Sequence, residues 1–298
     1  MKKNCFIVVL LLVSFICRAQ RSEVGALVGT SFYLGDLNNI PFRYSKFAGG
    51  LIYRYNFTPR VAFKADILFG KLAASDENNH SLLRQKDANG NFLLDDDGRY
   101  QYLWDYRDRG FSFTSPISEI SAQLEINFFN IYNVGHKNQI SPYLFGGIAV
   151  FSFNPQAVCP YDNICYDLQP MGTEGQERGG KDKKYPLTNF AIPFGIGFKA
   201  NIGRYVCIGA EWGLRFTFSK YLDDVGGVYF INPEDDRIIQ YFADPSFTHK
   251  TDQQRCSTVK YDWYSFAGVV ITIRIGNEDR ICDVKTNVKL KHKRGRKW

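Results

Sequence analysis

Apolar and polar residues alternate with period two along much of this chain. Residues 205–218 show it most clearly. Val206, Ile208, Ala210, Trp212, Leu214, Phe216 and Phe218 share one face, and Tyr205, Cys207, Gly209, Glu211, Gly213, Arg215 and Thr217 share the other. Side chains alternate across a strand, so the period predicts a β-strand with one apolar face and one small, polar face. The same alternation predicts strands over 49–57, 61–69, 119–128, 189–200 and 261–275. Residues 23–34 and 140–153 alternate less cleanly but are rich in glycine and apolar residues, and they complete a set of eight.

Most of these segments are long enough for a tilted membrane strand, which needs about 9–11 residues to cross the hydrocarbon. Eight antiparallel strands can close, which satisfies every backbone hydrogen bond and leaves no sheet edge. The connections alternate as well. They are short at 58–60, 130–139 and 202–204, and long at 35–44, 75–110, 154–187 and 219–260. The expected fold is therefore all-β: an eight-stranded antiparallel transmembrane β-barrel of the outer-membrane type. Both termini would be periplasmic, the long loops extracellular, and the tail short and periplasmic. A secreted sandwich or a lipocalin-like barrel also alternates but turns its apolar face inward. A second face carrying glycine and both signs of charge favours the membrane barrel.

That register explains the charges inside so apolar a pattern. Arg54, Lys64, Lys199, Arg215 and Arg274 are expected to point into the bore together with Asp66, Glu119, Glu125, Glu211 and Asp262. The two signs balance. Left unpaired, each charge would cost several kcal/mol. Eight strands leave an interior just wide enough to be filled by side chains. The expectation is a lumen plugged by an ion-pair network rather than an open pore, which would use more strands or one sign of charge.

The first 19 residues read as a secretory signal. Lys2 and Lys3 precede a short apolar run, and Cys17 and Ala19 take the small-residue positions of a cleavage site. Lipidation of Cys17 is the rival reading, and Ile16 disfavours it. Beyond this segment no apolar run is long enough for a membrane helix. The domain reading is signal peptide 1–19, barrel 20–276 and basic tail 277–298. The whole chain carries +7; without Lys2, Lys3 and Arg18 it carries +4, and the tail alone carries +5. The basic character thus belongs to the tail and not to the barrel.

Five cysteines follow the signal segment. Cys159 and Cys165 stand close together in "CPYDNIC", and in an oxidising compartment a local disulfide is the expected state. A metal site there would lack a nearby histidine or second cysteine pair. Cys282, just past the last strand, is free or pairs with a partner.

Candidate chemistry is thin. Some small barrels are rim-site hydrolases or acyltransferases built on Ser or Asp with His. His80 is followed by Ser81 and His249 follows Thr248, but neither forms a recognisable constellation, and triads are known by geometry. "DANGNFLLDDDG" at 87–98 fails the calcium-loop pattern, which wants Gly at position 6 and Glu at 12. The tail "KLKHKRGRKW" would have no nucleic acid to meet in the periplasm. Attraction to anionic lipid or an acidic protein surface, or a solvated extension, are the open readings. No cofactor, metal, nucleic acid or small-molecule substrate is implied, and the chain reads as a non-enzyme.

Several stretches together resemble the PorG family of outer-membrane barrels, components of the type IX secretion system of Bacteroidota. They are "GTSFYLGDLN" at 29–38, "SPISEISAQLEINFF" at 115–129, "SPYLFGGIAVFSFNP" at 141–155, "LQPMGTEGQ" at 168–176, "IPFGIGFKANI" at 192–202, "GLRFTFSKYLDDVGGVY" at 213–229 and "DWYSFAGVVITIRI" at 262–275. The resemblance runs in order along nearly all of the chain after its signal segment, and no motif in it is catalytic. It implies a non-enzymatic component that anchors or organises the periplasmic ring of PorK and PorN at the outer membrane, with gliding motility supported in some relatives. The contact would fall on the short turns or the tail, with Lys285, Lys289, Lys291, Lys293, Arg294 and Arg296 as its candidate residues. A small porin and a rim-site hydrolase or acyltransferase are the alternatives.

Overall fold

The computed structural model describes residues 22–78, 82–84, 102–105, 109–131, 140–180, 183–203, 205–256 and 261–275. Its strands are β1 (Ser22–Leu34), β2 (Lys46–Asn56), β3 (Val61–Ser75), β4 (Leu82–Arg84), β5 (Tyr102–Asp105), β6 (Ser112–Asn127), β7 (Ile140–Phe153), β8 (Gln156–Val158), β9 (Cys165–Asp167), β10 (Thr188–Ile202), β11 (Val206–Thr217) and β12 (Trp263–Ile275). Two short helices, α1 (Leu168–Met171) and α2 (Arg237–Ala243), lie in the long connections.

Eight of the strands form the wall. They follow one another as β1-β2-β3-β6-β7-β10-β11-β12, every neighbour antiparallel, and β12 pairs back onto β1 from Ser22↔Ile275 to Leu34↔Trp263. The ring is closed, so no wall strand presents an unpaired edge to its surroundings. Gly29 and Gly268 face each other across this closing seam. A Cβ on Gly29 would lie 2.0 Å from the Ala267 carbonyl oxygen, so only glycine permits the approach.

The sidedness follows the period-two pattern. Phe194 is 40% exposed and Ile271 49%, while Glu125 and Arg215 are 0% exposed. The apolar face looks out and the charges look in, the reverse of a water-soluble barrel. Exposed aromatics gather towards both ends of the wall: Phe57, Phe128, Phe129 and Tyr205 at the end of the chain termini, and Phe47, Phe218 and Tyr261 at the other. Amphipathic rings favour the headgroup level, and such girdles border the apolar band of membrane barrels.

β3 and β6 run further than the alternation alone foretold. They continue as a paired ribbon to Ser75↔Ser112. There Ala73 and Ala74 are both buried, because the ribbon is covered on two sides and the one-faced pattern stops. β8 joins β6 at Thr114↔Gln156 and pairs with β9. Together with α1 and residues 218–256, which include α2, they make a folded cap over the loop end. Its core includes Phe113, Phe153, Tyr185, Leu222, Val225, Tyr229 and Phe242.

Candidate functional site

The bore holds three tiers of paired charge. Nearest the terminal end, the Arg54 guanidinium on β2 donates to both oxygens of Glu125 on β6 at 2.8 and 3.0 Å, and to Glu23 on β1 at 2.9 Å. Lys199 on β10 donates to Glu125 at 2.8 Å. Thr272 donates to Glu23 at 2.9 Å, and Arg274 to Glu23 at 3.4 Å. In the middle tier Lys64 Nζ sits 2.6 and 2.7 Å from the two Glu211 oxygens. Asp66 lies 3.9 Å from Lys64 and accepts from Ser121 at 2.6 Å and Gln123 at 2.9 Å. In the upper tier Arg215 holds Glu119 at 3.1 Å, and the Tyr264 hydroxyl donates to Glu119 at 2.6 Å.

Aromatic rings fill the space between the tiers. Lys64 lies 4.2 Å from the Phe145 ring centre, Lys199 4.7 Å from Tyr143, and the Arg215 guanidinium 4.8 Å from Phe266. A cation over a ring face is attracted by the ring quadrupole. Glycines opposite make room for the rings. A Cβ on Gly197 would sit 2.3 Å from the Tyr143 ring, and one on Gly195 or Gly213 within 2.6–2.7 Å of Phe145. At these positions ring meets bare backbone across the bore.

Two expectations need correction. The alternation predicts Asp262 among the bore's ion pairs. It stands at the mouth, just before β12, and its carboxylate contacts are the Tyr33 hydroxyl at 2.8 Å and the Leu222 N–H at 3.0 Å. The negative charge of the bore that sequence reasoning missed is Glu23, fully buried on β1. The irregular alternation of that strand hid it; the signal was its place opposite Arg54 and Arg274 once strands are paired. Second, Cys159 and Cys165 are not bridged. In the β8–β9 hairpin Cys165 pairs with Val158, one residue before Cys159. Neighbouring positions face opposite ways, so Cys159 is buried in the cap while Cys165 is exposed.

The cap centres on 219–227, which contains "YLDDVGG". Leu222, Asp223, Asp224 and Val225 are all buried there. Asp224 accepts from Thr173 at 2.5 Å and from Tyr185 at 2.6 Å. Burial pushes its carboxyl up to about 6, against the pull of Arg255. Glu174 accepts from the Gly226 and Gly227 N–H groups at 2.9 and 3.0 Å. Arg255 ties these pieces together: its guanidinium donates to Glu174 at 3.0 Å, to the Asp224 carbonyl at 2.9 Å and to the Phe242 carbonyl at 3.0 Å. Arg109 grips Asp76 at 2.7 Å and the Arg255 carbonyl at 2.7 Å.

Of the catalytic candidates, His249 lies within this cap. Its Nδ1 is 2.9 Å from Asp244 Oδ1 and 3.1 Å from Ser246 Oγ, and its ring stacks on Tyr229 at 4.1 Å. A Ser-His-Asp relay needs the acid on one ring nitrogen and the nucleophile on the other. Here both meet the same nitrogen, which is a turn-stabilising arrangement. Among the described residues no group of three or more His, Cys, Asp or Glu side chains could hold a metal ion. His80 and Ser81, residues 87–98, most of 130–139, Cys282 and the tail residues Lys285, Lys289, Lys291, Lys293, Arg294 and Arg296 lie outside the described residues.

A family model described as "Domain of unknown function (DUF6089)" matches residues 2–284. Among curated proteins none matches the chain. Solved structures similar to it include the N-terminal β-barrel domain of Pseudomonas aeruginosa OprF, at 9% identity and a TM-score of 0.36, with 85% of this chain and 97% of that one covered. Neisserial surface protein A aligns at 10% identity and a TM-score of 0.38, again over 85% and 97%. The attachment invasion locus protein Ail of Yersinia pestis aligns at 8% identity and a TM-score of 0.32, over 85% and 95%. The fold resembles that of outer-membrane β-barrel proteins.

Proposed function

The chain belongs to the DUF6089 family, and we propose that it serves as a sealed, non-enzymatic outer-membrane anchor that holds the periplasmic ring of a type IX secretion machine. The observation that carries the first half is the packed bore. Among the described residues nine charged side chains of the wall are buried in the bore, paired along and across it, and aromatic rings lie between them, which supports a bore closed to solutes and folded proteins. What supports the second half is the ordered resemblance of seven segments to the PorG family. In this reading the short turns and the tail face the periplasm, the cap faces outward, and the ring proteins PorK and PorN meet the periplasmic side. A closed, stiff barrel suits that work: it lends a large assembly a fixed point in the membrane without breaching it.

Crosslinking in intact outer membranes, followed by identification of the captured proteins, tests the reading. Recovery of periplasmic ring proteins is expected, and their absence would refute it. Deleting residues 277–298 separates the tail from the turns as the contact. Loss of capture assigns it to the tail; undiminished capture and secretion removes the tail residues from the proposal.

A further inference from the structure

At the mouth of the barrel one hydroxyl meets two carboxylates. The Tyr33 Oη on β1 lies 2.6 Å from Asp223 Oδ2 and 2.8 Å from Asp262 Oδ1, and it accepts the Asp36 N–H at 2.9 Å. All of these side-chain oxygens are buried. The other oxygens of the two aspartates are already used: Asp223 Oδ1 accepts from Val225 N–H at 3.0 Å and Asp262 Oδ2 from Leu222 N–H at 3.0 Å. A phenol has one proton to give and two lone pairs to accept with. One lone pair takes the Asp36 N–H. The hydroxyl proton can satisfy one aspartate only. The second close contact is a hydrogen bond only if that aspartate carries a proton and donates it to the remaining lone pair.

We propose that Asp223 and Asp262 share a single proton through Tyr33, and that this proton latches the 219–227 loop into the mouth of the barrel. Asp223 sits on the loop; Tyr33 belongs to the wall strand β1, and Asp262 immediately precedes β12. With the proton present, the three groups form a closed set of hydrogen bonds. With it gone, two buried carboxylates face each other across one hydroxyl. Like charges so placed cannot both ionise without a large cost.

The surroundings sharpen the effect. The Asp36 carboxylate adds negative charge to both members of the pair. Asp224 is the next residue, and Glu174 and Tyr185 come from the β7–β10 connection. Cys256 and Arg255 come from the β11–β12 connection, and the Arg255 guanidinium is engaged by Glu174. Burial, then the neighbouring acids, raise Asp223, and the same causes push Asp262 up to about 8. Gly35 closes over the group: a Cβ there would lie 2.0 Å from the Tyr33 hydroxyl and 2.3 Å from Asp262. A cavity of about 20 Å³, the size of one water, borders Asp223.

The sign follows from linkage. The docked pair holds its shared proton to a higher pH than a free carboxylate does, so the proton's contribution to docking is fully present below about pH 4. It falls as the pH rises and is lost through about 8. Between those two values each pH unit weakens docking about tenfold, and the loss levels off once the docked pair has given up its proton.

The test is limited chymotrypsin cleavage after Tyr221 and Leu222 in the full-length barrel in detergent, from pH 6.5 to 9.5. Rates are normalised to an unstructured peptide, and barrel integrity is followed by heat-modifiable gel mobility. Cleavage of the wild type should rise at least tenfold across that range while the barrel stays folded. Asp223→Asn supplies a permanent donor in place of the proton and should stay protected throughout. Tyr33→Phe and Gly35→Ala should be cleaved already at pH 6.5. Should a variant fail to fold, the wild type still decides through its infrared spectrum, which must lose a buried carboxylic-acid band as cleavage appears. A wild type equally protected at pH 6.5 and 9.5, or an Asp223→Asn barrel that opens over the same range, overturns the latch.

Discussion

Glu125 is the residue on which the terminal-end tier of the bore turns. It receives Arg54 through two bonds and Lys199 through a third, and no part of it is exposed. Glu125→Ala would take from Arg54 two of its bonds, leaving the one to Glu23, and leave Lys199 beside the Tyr143 ring, both buried. Breaking a buried pair by removing one partner costs about 3–5 kcal/mol, because the surviving charge stays desolvated. Divided by a urea dependence of about 2 kcal/mol per M, this is a fall of about 2 M in the unfolding midpoint. The assay is urea unfolding of the barrel in phospholipid vesicles, read by gel mobility. Two companions separate charge from volume. Glu125→Gln keeps the shape and should cost nearly as much. The double variant Glu125→Gln with Lys199→Met removes one charge of each sign and should recover at least half of the loss. A Glu125→Ala midpoint within about 0.5 M of wild type, with no recovery in the double variant, would mean that solvent reaches these charges. The packed bore, and with it the anchor reading, would then fall.

Three further outcomes are expected. In planar bilayers the wild type should give no stable current, whereas Tyr143→Ala with Phe145→Ala, which removes the rings facing Gly195, Gly197 and Gly213, should leak; current through the wild type would refute the sealed bore. Gly197→Leu drives a side chain into the Tyr143 ring and should destabilise the wall by about 1–3 kcal/mol in the same urea assay, and an unchanged midpoint would contradict the packing. Arg255→Met removes the donor shared by Glu174, Asp224 and Phe242, so chymotrypsin should digest the cap about tenfold faster while the barrel's own mobility shift is kept; equal protection would show that the cap does not hang on this residue.

The wall was legible in the sequence because lipid enforces a period of two on every strand that crosses it. Val206–Thr217, Thr188–Ile202 and Trp263–Ile275 fall where the alternation placed them. Legibility ends where lipid ends. Beyond Leu72 the β3 ribbon is wrapped on both faces, so Ala73 and Ala74 carry no sidedness. Pairing was less legible than position. Alternation says that a charge points inward, but which partner it finds depends on the stagger between strands, which the pattern does not encode. Asp262 has inward phase, yet the stagger lifts it to the mouth. Glu23 has the same phase in a strand whose glycines and serines blur it. The cap was least legible, since "YLDDVGG" gains its meaning only from Tyr33, Thr173 and Tyr185, residues brought to it from elsewhere in the chain.

The way the charges are paired bears on what such a barrel is good for. Around the ring, β3 and β11 are four places apart, as are β6 and β12. Lys64–Glu211 therefore joins opposite walls, and so does Tyr264–Glu119. Arg215–Glu119 spans three places, and Arg54–Glu125 and Lys199–Glu125 span two. None of these bonds merely decorates one side; each is a strut across the bore. A cylinder whose only reinforcement is its backbone ladder can flatten, because hydrogen bonds between neighbouring strands tolerate changes of twist. Struts at three depths resist that, since flattening would pull buried charges apart in a low-dielectric interior. The result is a rim of fixed shape. Such a rim suits the proposed anchoring of another body at a constant distance and angle, and Glu125, opposite Ala62, lies close to the 58–60 turn.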